Sequence, residues 1–211
     1  MTAFPWPLVL AIVTGLAAGA YARHLTRAYD PPGPPAGHRR LPLLEPLTAG
    51  VFVALTLRFG LSPALPAYLF VATIGIALAV IDLRHRRLPN AVVMPSLGVT
   101  ALLLAVAAVA GADAGALLRA LLGGVALFVL YLVLALVNPA GLGMGDVKLA
   151  ALLGLLLAFD GWGTLFTGTF LGFAAGAAIA VVVLLTRRGG LRSSFPFGPS
   201  MLAGALVAIV V

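Results

Sequence analysis

Long apolar runs fill most of this 211-residue chain, and short polar or glycine-rich segments separate them. Hydrophobic residues make up 62% of the sequence and charged residues only 9%, whereas a soluble domain is about half apolar and about a quarter charged. A membrane-spanning helix needs about 20 apolar residues. The sequence therefore predicts one integral membrane domain over residues 1–211. We expect an all-α, polytopic transmembrane bundle with about eight spans, at residues 3–22, 44–60, 63–82, 91–111, 117–137, 147–159, 162–185 and 197–211.

The placement of Lys and Arg predicts how these spans are oriented. With the N-terminus outside, the outer segments hold only Arg58 and Arg119. Cytoplasmic loops carry the excess of Lys and Arg, so the pattern favours this orientation. The positive net charge is then explained by the topology of the spans and does not indicate nucleic-acid binding. The basic residues predicted to lie inside are Arg23, Arg27, Arg39, Arg40, Arg84, Arg86, Arg87, Lys148, Arg187, Arg188 and Arg192.

Polar segments and glycines between and within the spans carry simpler predictions. Residues 23–43 are rich in Pro and Gly, which predicts a short and mostly irregular cytoplasmic loop. Glu45 opens the second span, where the helix dipole favours a carboxylate, and Asp113 and Asp160 are expected to be solvated turn residues. Glycines spaced by four predict close helix packing; these are Gly15 and Gly19 in the first span, and Gly168, Gly172 and Gly176 in the seventh.

Asp82 lies one residue inside the end of the third apolar run and faces a basic segment. A charged side chain at mid-membrane costs about 2.5 kcal/mol or more, and less near an interface. One interpretation is an interfacial carboxylate that pairs with Arg84 or Arg86; the other is a functional group. Pro89 stops the preceding helix, and Asn90 is a candidate cap for the next one.

Asp146 follows three glycines at alternate positions and precedes Lys148 by two residues. Glycines at positions 141, 143 and 145 let another part of the chain approach closely, or allow positive φ. Asp146 itself is either a cap of the sixth helix or a catalytic group. The residues around it therefore leave both interpretations open.

The predicted topology puts Asp82 and Asp146 on the same side of the membrane at similar depth. Two carboxylates brought close share a proton and titrate as a unit. Such a pair supplies one general base to activate water and one general acid to protonate a leaving amine. The pair predicts peptide hydrolysis without a metal, another cofactor or a covalent intermediate.

These motifs resemble the type IV prepilin leader peptidase family, a group of Gly-x-Gly-Asp aspartyl membrane proteases. Gly143-Met-Gly-Asp-Val-Lys-Leu149 is similar to the second family motif, and Asp82 with Leu88-Pro-Asn90 and Pro95 to the first. Phe195-Pro-Phe-Gly-Pro199 with Gly204 is similar to the closing stretch. The resemblance implies that two aspartates are catalytic, Asp82 and Asp146. The positions that it implies as supporting are Gly143, Gly145, Val147, Lys148, Pro89 and Asn90.

The resemblance also implies a substrate and a location. The substrate is a prepilin or pseudopilin, cleaved after a glycine that follows its basic leader and precedes an apolar helix. Cleavage takes place near the cytoplasmic face of a prokaryotic plasma membrane. Larger family members carry Cys-x-x-Cys pairs in a long first loop, and many also methylate the new N-terminus. This chain has no cysteine and a short first loop, which favours a peptidase-only member.

Two other functions fit a pair of carboxylates in a membrane bundle. A proton-coupled transporter uses such groups as a relay, but it often shows internal repeats and a broken helix at mid-membrane. We find no convincing repeat, and both aspartates lie at span ends. A non-enzymatic scaffold of a pilus or secretion machine would tolerate Asn in place of both. Lys148 and Asn90 are candidates to orient substrate or a carboxylate, or else are a snorkelling side chain and a helix cap.

Overall fold

The computed structural model describes residues 6–30, 43–111, 113–138, 141–185 and 196–211. Within these ranges the chain forms helices and no strands, which confirms the predicted all-α bundle. Each helix coincides with one of the predicted apolar runs. The helices are α1 (Trp6–Arg27), α2 (Leu44–Phe59), α3 (Leu65–His85), α4 (Asn90–Ala110), α5 (Ala114–Val137), α6 (Met144–Asp160), α7 (Trp162–Leu185) and α8 (Gly198–Val210).

The helices differ in length and therefore in how they relate to a membrane. Five helices in the described ranges, α1, α3, α4, α5 and α7, are long and apolar enough to cross a bilayer. The other three have 16, 17 and 13 residues in α2, α6 and α8. A polytopic membrane bundle is thus built from full-length spans with shorter helices packed among them.

The short helix α6 occupies the centre of the bundle. It packs against α4, α5, α7 and α8, and residues 149–158 are buried on every side of the helix. A helix that is apolar all round is a buried one. Its 17 residues span about 25 Å, less than the hydrocarbon thickness of about 30 Å. Because protein surrounds α6, its length does not have to match the bilayer.

Glycines allow the helices to approach closely, as their spacing predicts. A Cβ added to Gly15 would lie 2.6 Å from the Cα of Ala49 in α2. In the same way Gly204 of α8 meets the backbone of Gly172 in α7. The packing role predicted for the glycines of the first and seventh spans is therefore confirmed.

We expect Gly154→Ala to destabilise the bundle by about 1–3 kcal/mol, the usual effect of overpacking. The new Cβ would lie 2.5 Å from the carbonyl oxygen of Gly123, so α5 and α6 would have to separate. Thermal unfolding of the detergent-solubilised protein, followed by circular dichroism, measures the change. Gly98→Ala is the matched control, because a Cβ there meets nothing within 4 Å. Equal stability of the two variants would contradict the close crossing of α5 and α6.

Arg119 closes the end of α6 that lies away from Asp146. Its guanidinium donates hydrogen bonds to the carbonyl oxygens of Ala158 and Phe159, both at 2.7 Å. The last carbonyl groups of a helix have no partner within the helix, so a buried helix end needs such donors.

The two carboxylates expected to be solvated turn residues have partners. Asp113 accepts a hydrogen bond from the backbone N–H of Ala116 at 2.8 Å and so caps α5. Asp160 accepts one from the Thr164 hydroxyl at 2.7 Å and lies 3.9 Å from an Arg58 nitrogen. Asp113 is exposed, as expected, and also caps the helix. The expectation is wrong for Asp160, which is the last residue of α6 and is partly buried because polar partners hold it there.

The first predicted loop is shorter than its sequence indicates. Helix α1 continues to Arg27, so the first five residues of the 23–43 segment are helical. An ion pair of 2.8 Å between Arg23 and Glu45 holds this extension against α2. Residues 31–42 lie outside the described ranges, as do five of the basic residues predicted to be inside, namely Arg39, Arg40, Arg187, Arg188 and Arg192.

Candidate active site

Three helix ends meet at one end of the bundle, which we call the site end. They are the C-terminus of α3, which carries Asp82, and the N-termini of α6, which carries Asp146, and of α8. Helix α8 packs against both α3 and α6. The predicted up-and-down topology thus brings residues from three distant parts of the sequence to one place.

Asp82 is buried in the last turn of α3, with 4% of its surface exposed. Its Oδ2 atom accepts a hydrogen bond of 3.1 Å from the backbone N–H of Gly198. Gly198 begins α8, so the carboxylate meets the positive end of a helix dipole. The first N–H groups of a helix lack internal partners, and Asp82 satisfies one of them.

The alternative pairing of Asp82 with Arg84 or Arg86 is wrong. Arg84 instead binds Asp30, at the end of α1, with an N–O distance of 3.2 Å. Residues two apart on a helix do not face each other, so Arg84 points away from Asp82. Arg86 has left the helix, with a φ of 51°. The neighbouring cations therefore do not neutralise the Asp82 carboxylate.

Asp146 lies in the first turn of α6 and is partly buried. Helix α6 begins at Met144, with Gly143 as its N-cap residue. The Oδ2 atom of Asp146 accepts a hydrogen bond of 3.0 Å from the Gly143 N–H, which is one half of a capping box. The interpretation of Asp146 as a cap of the sixth helix is therefore confirmed: it lies within the first turn, and its carboxylate satisfies the free N–H of the N-cap residue Gly143.

Asp82 and Asp146 both lie at the site end, in the last turn of α3 and the first turn of α6. Asp146 interacts with Tyr131, a buried side chain of α5. Each carboxylate is held by one backbone N–H from a different segment. The site thus consists of two separately positioned carboxylates at one end of the bundle.

Leu88 fills the space between the two aspartate-bearing segments. It is 9% exposed. A Cβ added to Gly145 would lie 2.8 Å from the Cβ of Leu88, and a Cβ added to Gly198 would lie 3.5 Å from its Cδ1. Leu88 therefore packs against the glycine before Asp146 and the glycine that binds Asp82, and it fixes the distance between the two segments.

The predicted supporting residues fall into two groups. Lys148 donates a hydrogen bond of 2.8 Å from Nζ to Oδ1 of Asn90, so these two meet at the site end. Asn90 is not a cap, because Pro89 precedes the helix and Asn90 is its first residue. Val147 is fully buried and contributes to the core.

Close approach, not an unusual backbone, explains the glycines before Asp146. Among the described residues, Gly60 is the only glycine with positive φ. Because Gly145 has no side chain, Leu88 can pack against its backbone, and the N–H of Gly143 donates a hydrogen bond to Asp146. The structure therefore favours the first of the two predicted roles, in which glycine lets another part of the chain approach closely, over a backbone with positive φ.

An aromatic cluster supports the start of α8. The ring of Tyr131 stacks on Phe173 with a centroid distance of 5.3 Å, and Phe173 lies 5.5 Å from Phe197. Phe197 immediately precedes Gly198, so the cluster positions the N–H that binds Asp82. The sequence predicted no individual role for Gly198, although Gly198 lies in the motif Phe195-Pro-Phe-Gly-Pro199. No sequence pattern pointed to Tyr131.

The described residues contain no group of three or more His, Cys, Asp or Glu side chains placed to hold a metal ion. The backbone N–H groups of Gly198 and Gly143 donate hydrogen bonds to the two carboxylates. The arrangement places two carboxylates, which are candidates for acid–base chemistry, beside two short, glycine-containing segments.

Comparisons with known proteins show the family of the chain. The sequence profile described as "Type IV leader peptidase family" matches residues 69–185. The chain is 33% identical over 176 residues to the prepilin leader peptidase/N-methyltransferase of Bacillus subtilis (strain 168), covering 82% of this chain and 67% of that protein. Proteins of the same name from Stutzerimonas stutzeri and Pseudomonas aeruginosa are 31% and 30% identical, with 82% of this chain and 58% of each relative covered. No solved structure matches the chain.

Proposed function

The chain belongs to the type IV leader peptidase family, and we propose on that premise that it is a membrane aspartyl endopeptidase. It removes the basic leader from prepilins or pseudopilins, as the names of its relatives suggest. The observation that carries the proposal is the pair formed by Asp82 and Asp146. Helices from opposite halves of the sequence carry the two carboxylates to the same end of the bundle, where Leu88 packs against both Gly145, the residue before Asp146, and Gly198, the residue that binds Asp82.

In the proposed mechanism the two carboxyl groups hold one proton between them. The ionised carboxylate takes a proton from water as the water oxygen attacks the peptide carbonyl carbon. The protonated carboxyl group then gives its proton to the amide nitrogen as the C–N bond breaks, and one proton remains on the pair. The N–H groups of Gly198 and Gly143 hold the carboxylates in place during these transfers.

We propose that the site end faces the cytoplasm of a prokaryotic cell. The described basic residues at that end of the bundle include Arg23, Arg84 and Lys148, whereas Arg58 and Arg119 lie at the other end. The excess of positive charge belongs on the cytoplasmic side. This orientation presents the two aspartates to a leader that remains in the cytoplasm.

We propose peptidase activity without methyl transfer. The relatives are named as both peptidases and N-methyltransferases, and the chain spans about two thirds of the B. subtilis protein and 58% of the S. stutzeri protein. It contains no cysteine, and so it lacks the Cys-x-x-Cys pairs of the larger members. The transporter has less support, because the α6 residues from 149 to 158 are all apolar or glycine and form no relay. The scaffold has less support because the relatives are named as peptidases.

Incubation of a prepilin with the purified protein, scored by mass spectrometry, tests this function. We expect the leader to be removed and the product to gain no methyl group when a methyl donor is present. A product with an added methyl would contradict the peptidase-only assignment. Absence of cleavage, together with proton flux in liposomes that depends on Asp82, would instead favour the transporter.

A further inference from the structure

An apolar groove on the outside of the bundle ends one helical turn before Asp82. Its volume is about 230 Å³, and it lies between α2, α3 and α8. Leu153 and Leu156 of α6 form its floor. Two residues at its rim, Leu47 of α2 and Ala203 of α8, are exposed, so the groove opens sideways to the surrounding lipid.

One end of the groove is closed, and the other lies toward the site end of the bundle. Tyr68 closes the far end, where its hydroxyl donates a hydrogen bond of 3.3 Å to the carbonyl oxygen of Leu156. At the other end the groove reaches Ala79, one helical turn before Asp82, and Pro199, the residue after Gly198. An occupant of the groove is therefore directed at the carboxylate that Gly198 holds.

The dimensions of the groove indicate the shape of its occupant. From Tyr68 to Ala79 the helix rises about 17 Å, or about three turns. A helix about 10 Å across cannot enter a volume of 230 Å³ as a whole. The groove instead accepts one ridge of side chains from a helix that packs against α3 and α8, as ridges fit grooves between ordinary helices.

We propose that this groove binds the apolar helix of the protein substrate and delivers the peptide bond at that helix's N-terminal end to Asp82 and Asp146. The inference rests on the proposed function and adds the surface by which the substrate is held. Apolar side chains in the groove supply affinity without sequence-specific hydrogen bonds. The carboxylates lie only at one end, so the groove selects bonds that directly adjoin an apolar helix.

The first test compares two synthetic peptides, each with a basic leader and a glycine at the cleavage position. One continues into an apolar helix of about 20 residues, and the other stops a few residues after the glycine. Ala72 lines the groove, and Ala72→Phe is expected to lower kcat/KM for the helix-bearing peptide about tenfold or more, the scale of steric discrimination in an apolar pocket. Its rate on the short peptide should equal that of wild type.

The control is Ala126→Phe, since Ala126 is exposed on α5 and outside the groove. If the folded Ala72→Phe protein cleaves the helix-bearing peptide as fast as wild type does, the groove is not the binding surface, although the peptidase assignment stands. If wild type cleaves neither peptide, the proposed function fails, and a binding experiment decides the groove separately.

That binding experiment uses disulfide cross-linking. Because the chain contains no cysteine, only the introduced one can react. Ala203→Cys marks the groove and Ala126→Cys the control surface, both in the Asp146→Asn background. A helix-bearing peptide with one cysteine in its apolar part should cross-link to position 203 at least about tenfold more than to position 126. Equal yields would overturn the proposal, as would a phospholipid that co-purifies in the groove and excludes the peptide.

Discussion

Asp82→Asn and Asp146→Asn should each lower the rate of prepilin cleavage by about 10²–10⁴-fold, the usual contribution of general acid–base catalysis. An amide cannot exchange the proton that either half of the reaction needs. Its oxygen can still accept the hydrogen bond from Gly198 or Gly143, so the fold should survive. Initial rates on one prepilin, with circular dichroism as a check of folding, measure the effect.

The control for this pair is Asp113→Asn. Asp113 caps α5 through a 2.8 Å hydrogen bond from Ala116, and Asn is an equally good N-cap residue. This variant should cleave at the wild-type rate. Near-normal cleavage by either catalytic-site variant would remove that carboxylate from the mechanism, and near-normal cleavage by both would bring the scaffold interpretation forward.

Gly198→Ala should lower kcat by about 10²-fold, although it changes no ionisable group. The added Cβ would lie 2.9 Å from Oδ2 of Asp82, so the carboxylate or the start of α8 has to move. A displacement of about 1 Å at a reacting group costs on the order of 10²-fold in rate. Steady-state kinetics on a prepilin gives kcat, and substrate affinity should change less.

Gly98→Ala serves again as the matched substitution, because it adds the same methyl group to a helix where nothing lies within 4 Å. We expect its kcat and its unfolding temperature to stay at or slightly above those of wild type, since Ala favours a helix more than Gly does. A Gly198→Ala protein with full activity would mean that the close approach of Gly198 to Asp82 is not needed for catalysis.

The arrangement of the helices was largely predictable from the sequence, because the bilayer dictates how long an apolar run must be. Helix ends were less predictable. Helix α6 starts at Met144, three residues before its apolar run, because the Asp146 carboxylate can satisfy the N–H of Gly143. Helix α1 continues beyond its apolar run because Arg23 forms an ion pair with Glu45 of α2. In both cases a polar contact, which hydropathy does not register, sets the boundary.

Topology alone predicted that Asp82 and Asp146 share one side of the bundle, but it did not predict their partners. Arg84 was expected near Asp82 and binds Asp30 instead. Lys148 and Asn90 are 58 positions apart and meet through one hydrogen bond. Gly198 acts through its backbone N–H, which every residue except proline possesses. Its hydrogen bond to Asp82 therefore could not be predicted from the residue type.

The origin of the site in three separate helices has a consequence for biosynthesis. Asp82 is translated early, Asp146 roughly sixty residues later, and the N–H that holds Asp82 comes only with α8. The nascent chain therefore carries one, and then two, carboxylates in the membrane before the hydrogen bond from Gly198 exists. The complete catalytic arrangement can form only after synthesis has passed Gly198, so a ribosome-bound intermediate lacking α8 is expected to be inactive toward the pilins inserted beside it.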